Sequence, residues 1–162
     1  GDELINIKYR DGRKNFKLFK GAEKVFYNIN SIVGWEYCVL VEGEMDALAL
    51  HEAGITNVIS VPNGATLNTN NLDYLDACID YLDDKEKIIL AVDSDPAGQA
   101  LQTELIRRLG SEVCYLADFE DCKDANEYLL NHGKDGLVSR ISAATPVPLE
   151  NVTTFRDVES RA

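Results

Sequence analysis

The chain has 162 residues, 45% of them hydrophobic and 27% charged, an ordinary balance for a globular domain with length enough for one self-sufficient core. No apolar run approaches the roughly 18 residues a membrane-spanning helix needs, which excludes a transmembrane protein, and no basic-then-apolar leader marks the chain for secretion. The net charge of −12 argues against a polyanion partner for the molecule taken whole. Residues 1–24 nevertheless carry seven basic residues against four acidic ones, a basic arm on an acidic body. The plain alternative is a solvated hairpin face.

In chain order, residues 1–30 read as a small basic antiparallel β unit. Leu4 to Tyr9 partly alternates, Asp11-Gly12 signals a hairpin turn, Phe16 to Phe19 resumes the strand pattern, and Val25-Phe26-Tyr27 makes a third short run. The start at Gly1, directly before a strand-like run, points to a piece of a longer chain. From Tyr37 the pattern changes. Cys38-Val39-Leu40-Val41 is continuously apolar, as a buried parallel strand is. Met45, Leu48, Ala49 and Ala53 then recur at helical spacing up to Gly54. Val58 to Val61 is a second strand, ended by Pro62-Asn63-Gly64. Leu72, Leu75, Ile79 and Leu82 mark a helix, and Ile88 to Val92 a third strand. Ala97, Leu101, Leu105 and Leu109 mark another helix with Gly110 as its stop, followed by a strand at Val113 to Leu116 and a helix over 125–144. Strand and helix alternating in this way predict an α/β domain over 37–144, an open sheet of about four parallel strands flanked by helices. Residues 145–162, with Pro146 and Pro148, read as a linker-like tail.

Three of the four cysteines, Cys38, Cys78 and Cys114, fall in apolar segments, where a free thiol acts as a small hydrophobe. Cys122 completes the set. No C-x-x-C pair occurs and His51 and His132 lie far from ligand spacing, so no structural zinc site is expected. A reducing compartment fits best.

Ligands of open α/β sheets gather beyond the carboxyl ends of the strands. There the first strand ends in Glu42-Gly43-Glu44 with Asp46 one turn on, the second in Asn63-Gly64, and the third in Asp93-Ser94-Asp95. Asp118, Glu120, Asp121 and Asp124 follow the fourth. Carboxylates crowded on one rim repel, and a hard divalent cation is their natural neutraliser. Alternation points Asp93 and Asp95 to one side, and Glu42, from another strand, is placed to act as ligand or base. Several of these acids also have structural explanations: Asp95 before Pro96 is a good N-cap, and Glu44 and Asp46 suit a first helical turn. Those explanations leave Glu42 and Asp93 unaccounted for, and glycines beside both clusters (Gly43, Gly98) permit close approach.

Val41-Glu42-Gly43-Glu44-Met45-Asp46, followed some fifty residues later by Ala91-Val92-Asp93-Ser94-Asp95-Pro96-Ala97-Gly98, resembles the Toprim domain shared by bacterial-type primases, topoisomerases and certain nucleases. Lys123-Asp124-Ala125-Asn126-Glu127 and the arm Tyr9 to Lys17 are similar to the primase half of phage-type, Twinkle-like replicative primase–helicases. The resemblance covers roughly residues 8–140. It implies a nucleotidyltransferase that makes short RNA primers on a single-stranded DNA template from ribonucleoside triphosphates. It implies Glu42 as the acidic catalytic residue, Asp93 and Asp95 as catalytic Mg²⁺ ligands, and Asp46 and Asp124 completing the metal cluster, with Mn²⁺ able to substitute. Arg10, Lys14, Lys17, Lys24, Asn63, Gly64, Lys123 and Asn126 are the candidate nucleotide or template contacts. Tyr9, Phe16 and Phe19 offer stacking surfaces, although the two phenylalanines are expected to be core of the small unit. The family usually adds a zinc-binding domain before this region and a helicase after it. The implied location is the cytoplasm of a bacterial cell or phage-infected host, with no membrane partner. Two other readings stand beside this one: a Toprim nuclease using the same carboxylates, and a non-catalytic module keeping only the scaffold. A topoisomerase fits less well, since it needs a tyrosine nucleophile on a separate domain.

Overall fold

A computed structural model describes residues 3–63 and 72–148. The basic arm forms one antiparallel ribbon, β1 (Lys8–Arg10) and β2 (Phe16–Leu18), with Lys8 opposite Leu18 and Arg10 opposite Phe16. Its Asp11-Gly12 signal closes the hairpin through a longer loop than a two-residue turn. The Asp11 carboxylate accepts the backbone N–H groups of Arg13 and Asn15, a side chain standing in for a turn, while Lys14 takes a left-handed φ of 66°. The predicted third strand at 25–27 does not form. Tyr27 makes only an isolated bridge to Ser60, and Phe26 is buried in the main core, edge-on to Tyr74 at 5.1 Å. A two-stranded ribbon has no second layer to bury side chains against. Phe16 and Phe19 are accordingly 50% and 55% exposed, which overturns the expectation that they are core.

A 3-10 turn (Ile29–Ile32) leads into β3 (Tyr37–Val41), α1 (Glu44–Glu52) and β4 (Val58–Ser60). After α2 (Asp73–Ala77) and α3 (Ile79–Leu82) come β5 (Lys87–Leu90), α4 (Pro96–Leu109), β6 (Cys114–Leu116), α5 (Ala125–Ser142) and β7 (Thr145–Pro146). The sheet order is β4-β3-β5-β6-β7; the first four strands are parallel, as predicted, and β7 is an antiparallel edge. Thr145 and Pro146, read from sequence as the start of a linker, therefore belong to the sheet, at an edge where proline's missing N–H is tolerated.

Alternation along the central strands feeds two cores. Cys38 and Leu40 of β3 with Ile88 and Leu90 of β5 face α2, α3 and α4, while Val39, Val41 and Ile89 face α1 and α5. Both faces of the sheet are covered, which is why β3 reads as an unbroken apolar run. The phase of α1 differs from the sequence reading. The helix buries Asp46, Ala47, Ala49 and Leu50 and leaves Met45 and Leu48 each 49% exposed. Two alanines let α1 lie close against its neighbours in the layer shared with α5, and that turns Asp46 inward. The single helix predicted around 72–82 breaks at Cys78 (φ −112°, ψ 9°) into α2 and α3. Helix α4 starts and stops as its sequence says, with Asp95 as N-cap, Pro96 in the first turn, and Gly110 at φ 98°. Among the described residues no helix is long and apolar enough to cross a membrane.

Candidate active site

Strand β3 pairs with β4 on one side and β5 on the other, so the chain switches direction across the sheet at the β3/β5 boundary. A crevice opens outside the carboxyl ends at such a point. Glu42 leaves β3 and Asp93 follows β5 at this crevice. Glu42, Asp93 and Asp95 each bring a carboxylate oxygen within 4.8 Å of the others, and Asp46, Asp93 and Asp124 do the same. Asp93 belongs to both groups. The five acids read from the sequence thus share one rim, supplied by the ends of β3 and β5, the first turn of α1 and the N-cap of α5.

Backbone groups fix the rim. Glu42 Oε1 accepts the Asp93 N–H at 2.9 Å, which ties the two strand ends together. Asp46 Oδ1 accepts the Asn126 N–H at 3.1 Å, Asp95 caps α4 through the Gly98 N–H at 2.8 Å, and Asp124 caps α5 through the Glu127 N–H at 2.9 Å. The capping explanation of Asp95 is therefore correct, and it does not exclude Asp95 from the rim: one oxygen caps while the residue still joins the cluster. Gly98 is required by space. A Cβ there would stand 2.1 Å from the Asp93 carbonyl oxygen and 2.5 Å from Glu42 Oε1.

The electrostatics are those of a site short of positive charge. Burial, and then the Asp93 charge, push Glu42 up to about 7. Burial and Asp124 push Asp46 to about 7 and Asp93 to about 6. Among the described residues Asp93 Oδ1 is buried with no hydrogen-bond donor. An orphaned, buried carboxylate oxygen among four other acids is costly unless a cation satisfies it. The all-oxygen donor set suits a hard divalent ion, so the residues fit such an ion.

Among the described residues, the basic side chain beside Asp93 and Asp95 is Lys123. Its Nζ lies 3.8 Å from Asp93 Oδ2 and 3.7 Å from Asp95 Oδ2, and the acids raise its own pKa, Asp93 foremost. Both distances exceed hydrogen-bond length, and more than half of the side chain is exposed. Lys123 thus rests on the rim without filling it. Nothing in the sequence signals this pairing, because a lysine in an acidic loop reads equally as a nucleotide contact. Lys8 was also missed. Its Nζ binds both oxygens of Glu44 at 2.8 Å and sits 4.3 Å from the centre of the Phe16 ring, which moors the arm beside the rim.

Arg10, Lys14, Lys17 and Lys24 are exposed on the arm and its continuation. Asn63 follows β4 and is half-buried, and Gly64 lies outside the described residues. Asn126 meets the rim through its backbone N–H.

A family model described as Toprim-like matches residues 39–129, the stretch that supplies every acid of the rim. The chain is 38% identical to the primase homolog protein of Arabidopsis thaliana, over 92% of this chain and 49% of that protein. It is 34% identical to the Twinkle homolog protein, chloroplastic/mitochondrial, of the same plant, over 96% of this chain and 24% of that protein. Among solved structures it is similar to the primase fragment of the bacteriophage T7 primase-helicase protein. The TM-score is 0.74 and the identity 29%, over 85% of this chain and 57% of that one. The chain thus spans about half, or less, of the curated relatives it matches.

Proposed function

On the premise that the chain belongs to the Toprim-like family, within its primase branch, we propose that it carries the catalytic centre of a primase, joining ribonucleotides on single-stranded DNA. The observation that carries the proposal is the rim at the β3/β5 switch point, where Glu42, Asp93 and Asp95 converge around an orphaned carboxylate oxygen. In primer synthesis a 3′-hydroxyl oxygen bonds to the α-phosphorus of the next nucleotide, the bond to pyrophosphate breaks, and the hydroxyl proton leaves. Asp93 and Asp95 would hold Mg²⁺ or Mn²⁺, with Asp46 and Asp124 completing the acid set. When bound, the ion neutralises charge on the transferring phosphate and lowers the pKa of the attacking hydroxyl.

This chain's own residues do the rest. Glu42 Oε1 is held by the Asp93 N–H, which leaves Oε2 to take the hydroxyl proton. Burial and the neighbouring acids push Glu42 up to about 7 in the metal-free rim, and a cation held by Asp93 and Asp95 would offset those charges and favour the ionised form a base needs. Lys123, exposed beside Asp93 and Asp95, is placed to contact the triphosphate. Arg10, Lys14, Lys17 and Lys24 grip template or nucleotide phosphates, and the exposed rings of Tyr9, Phe16 and Phe19 offer faces for base stacking. Asn63, Gly64 and Asn126 complete the proposed nucleotide contacts.

The proposed partners are a single-stranded template, ribonucleoside triphosphates, and linked zinc-binding and helicase segments of the parent protein. The four free, buried cysteines fit a reducing compartment. Bacterial cytoplasm or an infected host cell is the proposed setting, with a plant organelle as the alternative that the Twinkle homolog's name suggests.

The test is primer synthesis by the full-length parent with labelled ribonucleotides, a single-stranded template and Mg²⁺. Glu42→Gln is expected to abolish primer while leaving the circular dichroism spectrum unchanged. Equal primer yield from the variant removes Glu42 from the reaction. Shortening of labelled single-stranded DNA, with no primer made, assigns the rim to a nuclease instead.

A further inference from the structure

The segment between β6 and α5 carries a second, chemically different set of donors. With no C-x-x-C pair and with His51 and His132 far from ligand spacing, the sequence alone predicts no structural zinc site. The fold removes that objection. Cys122 lies just before the start of α5 and His132 on its third turn, and the helix brings both to the Asp121 carboxylate. Asp121 Oδ1 stands 3.8 Å from Cys122 Sγ and 3.9 Å from His132 Nε2. One ligand atom from each of the three lies within 4.8 Å of the others.

We propose that Asp121, Cys122 and His132 form a binding site for a borderline-soft divalent cation of the Zn²⁺ class, separate from the acid rim. Three observations support it. The first is distance. Tetrahedral zinc with ordinary Zn–S, Zn–N and Zn–O bonds has ligand–ligand edges of roughly 3.4–3.6 Å; the two Asp121 edges exceed this by a few tenths of an ångström, and the Cys122–His132 edge lies within 4.8 Å. The second is support for the ligands. Asn131 Nδ2 donates to the Cys122 sulfur at 3.6 Å, and the Tyr128 ring stacks on His132 at 4.2 Å with 27° between the planes. Groups that orient ligands in this way accompany protein metal sites. The third is access. The Asp121 and His132 side chains are 83% and 40% exposed and Cys122 is buried beneath them, so an ion would enter from the Asp121 and His132 side, where a water can serve as fourth ligand. Burial pushes the Cys122 thiol up, so its proton would leave only as the ion binds; a thiolate, an imidazole and one carboxylate then select Zn²⁺ or Co²⁺ over Mg²⁺, which takes oxygen ligands. The site would clip the loop to α5 directly beside Lys123, whose carbonyl accepts the Ser94 N–H at 3.0 Å and so touches the Asp93 strand end.

The test is a Co²⁺ titration of the reduced, tag-free chain in excess Mg²⁺, followed by near-ultraviolet thiolate-to-cobalt charge transfer. The other three cysteines are buried on the opposite face of the sheet and, among the described residues, belong to no group of metal-ligating side chains, so C122S isolates the band. Expected is a band saturating near one equivalent, abolished in C122S, at least tenfold weaker in apparent affinity in H132Q, and retained in D93N. No band from the folded chain, or an equal band in C122S, overturns the proposal and leaves a hydrogen-bonded trio only. Should C122S fail to fold by circular dichroism, H132Q decides, since its side chain is partly exposed: unchanged Co²⁺ affinity there overturns the site. Neither outcome bears on the primase reading, which uses different residues.

Discussion

Asp93 shows what the rim asks of a single residue. It is buried, carries an oxygen without a donor, and is touched by a helix that only glycine lets so close. Gly98→Ala would ordinarily favour a helix by up to about 1 kcal/mol. Here the new Cβ meets a backbone oxygen at 2.1 Å, which no rotamer change relieves. The clash wins, and a net loss of about 2 kcal/mol is predicted by urea denaturation. A variant as stable as the parent contradicts the close approach.

The same residues make a pH prediction. Glu42, Asp46 and Asp93 have folded pKa values raised to about 7, 7 and 6. Between the ordinary carboxylate range and those values the folded form holds protons that the unfolded form has released, so stability falls as pH rises through this window. In chelator, the melting temperature is predicted to drop from pH 5 to pH 8, and Asp93→Asn to flatten that slope and raise the pH 8 value by several degrees. A flat profile for the parent contradicts it. The acids at strand ends were legible because nothing structural explained Glu42 and Asp93. The role of Lys123 was not, because a lysine in an acidic loop reads the same whether it lies across carboxylates or in solvent.

At the scale of elements, legibility followed burial. The apolar runs of β3 and β5 are covered on both faces and were unmistakable, as was α4 with its proline start and glycine stop. The phase of α1 is not legible from hydrophobicity, because Met45 and Leu48 outrank Ala47 and Ala49 on that measure while packing in the α1/α5 layer rewards small size. The two-residue strand β7 leaves no periodicity to detect, and Cys78 breaks a helix with no glycine or proline to announce it. The β1–β2 hairpin is the element most exposed to choice. Tyr9 and Phe16 are about half exposed and Arg10, Lys14 and Lys17 face solvent, while Lys8 is held against Glu44 and the Phe16 ring; the exposed groups are those proposed to meet the template. Lys14→Ala with Lys17→Ala is predicted to weaken single-stranded DNA binding at low salt and to reduce the log–log salt slope by roughly 1.4, two phosphate contacts at about 0.7 each. An identical slope means the hairpin does not touch phosphate. Lys8→Ala is predicted to weaken binding as well, by freeing the hairpin from Glu44.

The whole molecule joins a net charge of −12 to a proposed nucleic-acid partner. The two are compatible only if a basic ribbon faces the template and cations at the rim reverse the local sign. The charge asymmetry was plain in the sequence. Its resolution needed the fold, which brings acids some eighty residues apart, Asp46 and Asp124, to one edge of one sheet. Everything proposed for catalysis depends on that edge holding a divalent ion. Mn²⁺ added in small increments to the isotopically labelled chain, with amide line broadening as the readout, tests it most directly. Selective broadening is expected at Gly43, Ser94, Lys123 and Asn126, reversed by excess Mg²⁺ and lost in a folded Asp93→Asn/Asp95→Asn variant. Broadening spread evenly over the acidic surface, or unchanged in that variant, would contradict it.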